Sequence, residues 1–260
     1  MNTARHGSQI AVTYLLTCMP GHTGCKNLLL LLFTFASAPM ALAAPLTLHY
    51  ENRTPFMFLE NGELSGTEGQ PASNAFKAAG IDFVLSEAPV ARQIEVIGKN
   101  LAPSCAVGLY WTADRARLGK YTKPIFRSLP QAVVVRADNQ KIQSISSMTA
   151  LLADPTISLV LRNSYSYGAS VDAMLERANA RLKRPPENSH GRIKMVLAGM
   201  ADGSLFTQEE AEYQIKQFGA EGTALSVRHF SDTPAGEPRH LYCSQSVDDA
   251  IINRLNEAIK

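Results

Sequence analysis

The feature that most constrains this chain is an alternation of two hydrophobic periods that starts, breaks off and starts again. Leu46, Leu48 and Tyr50 alternate with polar residues, as on a strand. Ala72, Ala75, Phe76 and Ala79 then recur at helical spacing until Gly80 stops them, and 81–85 is a second apolar run. A helix over 91–98 and an apolar strand from Cys105 to Trp111 continue the series. Such a β-α-β rhythm asks for a sheet with helices on its faces. The series then begins afresh: 132–136 reads as a strand, 146–152 as a short helix, 157–161 as a strand, 169–183 as a long helix, 193–197 as a strand and 208–218 as a helix. Two α/β lobes fit this pattern better than one. An apolar run at 224–227 and a Pro- and Gly-bearing stretch at 233–238 follow. A last helix comes next, with Ser246 as its expected cap and Val247, Ile251, Leu255 and Ile259 along one face.

Ahead of the series, residues 28–35 are almost wholly apolar, Lys26 precedes them, and Ala41, Leu42 and Ala43 follow. These are the parts of a secretory leader, residues 1–43, cut before Ala44. Its apolar stretch is shorter than the roughly 18 residues a membrane span needs. Met19 offers a more ordinary start for such a leader than Met1, and Cys25 precedes the apolar core, where a lipid-anchoring cysteine would follow it. The exported part is therefore expected to carry no membrane anchor. The leader holds Arg5 and Lys26 and no acid, so the 25 basic and 23 acidic residues of the whole chain balance once it is removed. A neutral chain lacks the basic footprint of a nucleic-acid binder, and Arg181, Lys183 and Arg184 read as the solvated end of a helix. Cys18 and Cys25 leave with the leader. Cys105 and Cys243 then remain in an oxidising compartment, which favours a disulfide over two buried thiols. His240, three residues before Cys243, does not complete the four ligands of a zinc site, so no metal or cofactor is expected.

One segment carries more chemistry than the rest. The run from Cys105 delivers Tyr110 and Trp111, then Thr112, Ala113, Asp114 and Arg115, to the exposed end of a strand. A guanidinium beside a flat apolar wall suits capture of a small anion. The competing reading is a structural Arg115 paired with Asp114. No Gly-x-Ser-x-Gly elbow, His-Glu-x-x-His or phosphate loop occurs in residues 44–260, and His49, His190, His229 and His240 are scattered.

The order of parts resembles the family 3 bacterial extracellular solute-binding proteins over nearly all of residues 44–260. The resemblance is carried by Pro55 and Phe56 after the first strand and by Gly62-Glu63-Leu64-Ser65-Gly66 before the first helix. Thr112 to Arg115 falls where the family has Thr-x-x-Arg, and Tyr121-Thr122-Lys123-Pro124-Ile125-Phe126 where it has an aromatic, polar, Pro and aromatic run. The resemblance implies a two-lobed, periplasmic-binding-protein-like (type II) α/β fold with a ligand cleft between lobes joined by two crossing strands. Lobe 1 would take residues 44–133 and 228–260, and lobe 2 residues 134–227. Cys105 and Cys243 then share lobe 1, which supports their pairing independently.

The resemblance also implies that Arg115 grips a ligand carboxylate through two parallel hydrogen bonds, assisted by Thr112. Tyr50, Phe56, Tyr110 and Trp111 would wall the cleft. The turn at 162–168, with Ser164 and Tyr165, would offer N–H groups and hydroxyls to the same carboxylate. The position that receives an amino group in amino-acid receptors holds Gln208, or Glu209 if the register slips by one. Glu210, three residues after Thr207, reads as half of a capping box. The expected protein is a monomeric periplasmic receptor that closes on a small polar or carboxylate-bearing, amino-acid-like ligand and serves an ABC-transporter permease or a sensor. The alternative is a periplasmic enzyme on the same scaffold, of the cyclohexadienyl dehydratase type, which needs a general acid or base facing its substrate.

Overall fold

The computed structural model describes residues 45–260 apart from Glu187; the expected leader and its expected cleavage point lie outside the described residues. Strand β1 (Leu46–Tyr50) is followed by the hairpin β2 (Phe58–Glu60) and β3 (Glu63–Ser65), helix α1 (Gly69–Ala78), β4 (Phe83–Glu87), α2 (Val90–Lys99) and β5 (Ser104–Tyr110). Short helix α3 (Ala113–Leu118) leads into β6 (Gly119–Arg127). The chain then builds β7 (Gln131–Arg136), α4 (Gln140–Gln143), α5 (Met148–Ala153), β8 (Ser158–Val160), α6 (Ala169–Glu176) and β9 (Arg181–Lys183). After α7 (Ser189–Leu197), β10 (Gly203–Thr207), α8 (Gln208–Gln217) and β11 (Leu225–Arg228), it returns through β12 (Pro238–Ser244) to α9 (Asp249–Ala258).

Apart from the β2-β3 hairpin, which pairs only with itself, these strands form two five-stranded sheets, ordered β4-β1-β5-β12-β6 and β11-β7-β10-β8-β9. The chain passes from the first to the second between β6 and β7 and comes back between β11 and β12, so each sheet with its helices is one lobe. The boundary expected between residues 133 and 134 falls inside β7, which belongs to the second sheet throughout. In β7 consecutive residues Val133, Val134 and Val135 are all buried, with Val133 and Val135 packing against Ile142, Leu151 and Leu175, and Val134 against Ile193, Val196 and Ala211. Burial on both faces is what a sheet sandwiched by helices requires. Among the described residues, no helix is long and apolar enough to cross a membrane.

Strand β5 is buried along its whole length. Gly108 lies within it at φ +74°, and a Cβ there would come within 1.8 Å of Glu68 Oε2, so only glycine fits. The disulfide between Cys105 and Cys243 is present; it joins register partners on the neighbouring strands β5 and β12 and is fully buried.

Three local expectations are corrected. The helix expected over 169–183 stops at Glu176, because the N–H groups of Asn179 and Ala180 donate to Leu152 O and the chain then turns out as β9 along the open edge of β8. Residues 193–197, expected as a strand, lie in α7, which Asn188 caps by accepting from Gly191 N. Ile193 and Val196 there share a buried face at helical spacing, and the strand of this unit is β10, six residues on, fully buried. The last helix is capped by Asp248, whose Oδ1 accepts from Ala250 N, rather than by Ser246.

Candidate functional site: the cleft between the lobes

A cavity of about 820 Å³ lies between the lobes. Lobe 1 contributes Ile94 and Trp111 to Arg115; lobe 2 contributes Asn163 to Ser166, Asp172 and Arg184. Five of the residues expected in the site, Trp111, Thr112, Arg115, Ser164 and Tyr165, line this cavity. Arg115 is set there by the end of β5. Thr112 caps α3 by accepting from Arg115 N (3.3 Å), and Arg115 Nη1 donates to Tyr110 O (3.1 Å). Tyr242 from β12 holds the same residue from behind, its hydroxyl donating to Arg115 O (2.9 Å). Asp114 pairs with Arg117 at 2.6 Å, and among the described residues no carboxylate pairs with Arg115. Trp111 is about half exposed, at 49%, an unusual state for the only tryptophan of the chain.

The other five expected residues do not line the cavity. Tyr50 is buried, with its hydroxyl donating to Glu87 (3.3 Å), and Phe56 sits in the lobe 1 core. Tyr110 is buried beside Arg239, which donates to its hydroxyl (3.0 Å), to Gly108 O and to Ser128 Oγ. Gln208 spends its amide on Glu212 one turn along α8, and Glu209 accepts from Leu129 N. Each of these polar groups is already satisfied within the protein.

On lobe 2 the turn before α6 is tightly built. Asp172 accepts from Ser166 Oγ (2.5 Å) and Tyr167 N (2.9 Å), and Tyr167 Oη accepts from Arg162 N (2.7 Å). Ser164 takes φ +54°, in the left-handed region that a non-glycine residue seldom occupies, and such strain clusters at ligand sites. The first N–H groups of α6, just past the turn expected to serve an incoming carboxylate, are occupied from within the protein. Glu237, from the segment returning to lobe 1, accepts from Ala169 N and Ser170 N at 3.0 Å each. Gly168 makes room for it: a Cβ there would lie 2.8 Å from Glu237 Cδ.

Deeper between the lobes lies a cluster that sequence reasoning missed. Arg53, just after β1, donates from Nε (3.0 Å) and Nη2 (2.5 Å) to the two carboxylate oxygens of Glu210 in α8, and from Nη1 to Tyr165 Oη (2.7 Å). Both members of the ion pair are buried. Glu51 and Arg162 form a second ion pair between the lobes. Glu210 is therefore not half of a capping box: Thr207 makes no side-chain cap bond, and the Glu210 carboxylate also accepts from Ser189 Oγ (2.7 Å). No local signal announces Arg53, which stands between Asn52 and Thr54 like any surface residue.

Burial by itself pushes the Glu210 carboxyl up, but the Arg53 guanidinium and the hydrogen bonds it donates outweigh burial and hold it down at about 2. A carboxyl lowered in the folded state contributes stability that is fully present above its ordinary value of 4.5 and is lost as pH falls toward about 2. Thermal melts of wild type and Glu210→Gln across that window are expected to show a steeper acid loss in wild type. Parallel curves would mean that Glu210 titrates normally.

No curated protein shows significant similarity to the chain. Solved structures do. An ancestral arginine-binding protein bound to arginine is 20% identical, over 83% of this chain and 90% of its own, with a TM-score of 0.66. The arginine-, lysine-, histidine-binding protein ArtJ from Geobacillus stearothermophilus is 15% identical over 83% and 88%, at 0.66. The ancestral amino acid-binding protein AncCDT-1, a precursor of cyclohexadienyl dehydratase, is 19% identical over 83% and 88%, at 0.64. At these identities the likeness is one of fold, the type II two-lobed architecture. Residues 46–260 match the sequence pattern of the bacterial extracellular solute-binding proteins, family 3, and the chain belongs to that family.

Proposed function

We propose that this receptor captures a small polar solute bearing a carboxylate in the 820 Å³ cavity between its lobes, with Arg115 as the principal anion contact. The observation that carries the reading is the state of Arg115: a guanidinium held in place by its own helix cap and by Tyr110 O, facing a cavity walled by Trp111 and Tyr165, with no carboxylate of the described residues paired to it. A planar fork of that kind matches a carboxylate, and flat rings beside it suit the rest of a small organic ligand. Ser164 and Asn163 face it from lobe 2. Export to the periplasm follows from the leader reading of residues 1–43. Delivery to an ABC-transporter permease or a sensor follows from family membership.

The reading is a receptor rather than an enzyme. Asp172, the acidic residue of the cavity closest to the turn, has both oxygens engaged by Ser166 and Tyr167, which suits a structural part better than that of a general acid. The fold neighbours that bind arginine, or arginine, lysine and histidine, support an amino-acid-like solute.

Isothermal titration of the purified exported protein with a panel of amino acids and their des-amino acids tests the proposal. Arg115→Lys keeps the charge and loses the fork, so the best ligand is expected to bind about tenfold or more weakly, a loss of roughly 1.5–3 kcal/mol. The melting temperature without ligand is expected to stay near the wild-type value. Wild-type affinity in Arg115→Lys removes Arg115 from the site.

A further inference from the structure

The geometry around Arg53 is that of a bound ligand rather than of a surface side chain. Its guanidinium lies 4.4 Å from the centre of the Phe56 ring and 5.0 Å from that of Tyr165, with the two Glu210 oxygens and Tyr165 Oη as acceptors. Phe56 belongs to lobe 1; Tyr165, Ser189 and Glu210 belong to lobe 2. An aromatic pair and one buried carboxylate, itself oriented by Ser189, make a cage for a planar cation. The tether is short and rigid. Arg53 N donates to Met57 O (2.7 Å), and Arg53 O accepts from Phe56 N (2.9 Å) and Met57 N (3.0 Å), so the backbone of the occupant is locked into a tight turn of lobe 1.

We propose that this cage is a cation site between the lobes whose resident occupant is the chain's own Arg53, so that the protein closes on a tethered guanidinium with no solute present. A receptor of two lobes is ordinarily drawn shut by contacts its solute makes to both sides. Here Arg53 of lobe 1 makes such contacts to lobe 2 itself. Gln214 Nε2 donating to Thr54 O (3.3 Å) and the Glu51–Arg162 pair bind the same turn of lobe 1 to lobe 2. The solute cavity at Arg115 is a separate space beside the cage, and the buried Glu210 carboxylate is withheld from it. A ligand's ammonium therefore finds Glu210 taken.

Small-angle scattering and thermal melts test this, with N-methylguanidinium as the probe. The solute-free wild type is expected to have the radius of gyration of the closed structure and to be unmoved by millimolar N-methylguanidinium. Arg53→Ala is expected to have a larger radius and a lower melting temperature, and N-methylguanidinium is expected to bring both back toward wild type by filling the vacated cage. An Arg53→Ala protein as compact as wild type overturns the proposal, and so does one that opens and ignores the probe. Should that variant not fold, the wild type alone decides: a solute-free radius larger than that of the closed structure refutes a tethered occupant. No carboxylate enters the experiment, so capture at Arg115 and closure by Arg53 stand or fall separately.

Discussion

Replacing Cys105 and Cys243 together by Ala is expected to lower stability by about 5 kcal/mol. The disulfide closes a loop of 138 residues, and in the chain-entropy picture the stabilisation grows with the logarithm of that length. It acts mainly on the unfolded chain, because β5 and β12 are already register partners and keep their hydrogen bonds when the sulfurs are gone. Denaturant titration of the oxidised protein and of the double variant measures the difference. The variant should also show a larger slope with denaturant, since its unfolded state is less compact. A loss below about 1 kcal/mol would sink the entropic account. Thiol counting in the denatured, non-reduced exported protein is expected to find neither cysteine free.

The second large effect concerns the pair that joins the lobes. Arg53→Met and Glu210→Leu are each expected to cost on the order of 3–5 kcal/mol, because each leaves the other partner as an uncompensated buried charge. The double variant is expected to cost much less than the sum, since two apolar side chains of similar size remove both charges at once. A double-mutant cycle in chemical denaturation reads this directly, and a large favourable coupling is the expected sign. Additive single effects would show that the two groups, although in contact, do not depend on each other. The cost of the single changes also explains why such a pair, once present, is hard to lose one residue at a time.

Much of the fold is legible in local patterns. The alternation of Leu46, Leu48 and Tyr50 and the helical spacing of Ala72, Ala75 and Phe76 lie within single elements, and β1 and α1 appear where those periods place them. Residues 193–197 were not legible, because a five-residue apolar run suits a strand or a buried helix turn equally well, and the Asn188 cap that decides the matter lies outside the run. The candidate site divides in the same way. Trp111, Thr112 and Arg115 are neighbours at the end of β5, so their convergence is a local property of strand and cap. Tyr110 belongs to the same stretch, yet it turns inward to Arg239, 129 residues away.

What the sequence by itself determined about this protein is the existence of two α/β units, the pairing of Cys105 with Cys243 and the placing of one arginine at the end of a strand. All of these follow from periods, counts and short-range order along the chain. Only the tertiary structure decided what fills the space between the units. Arg53 meets Glu210 across 157 residues, and Glu237 reaches the start of α6 across 67 and 68. These are charges whose partners sit on the opposite lobe, and a charged side chain in sequence carries no mark of being buried until the partner that neutralises it has been folded against it.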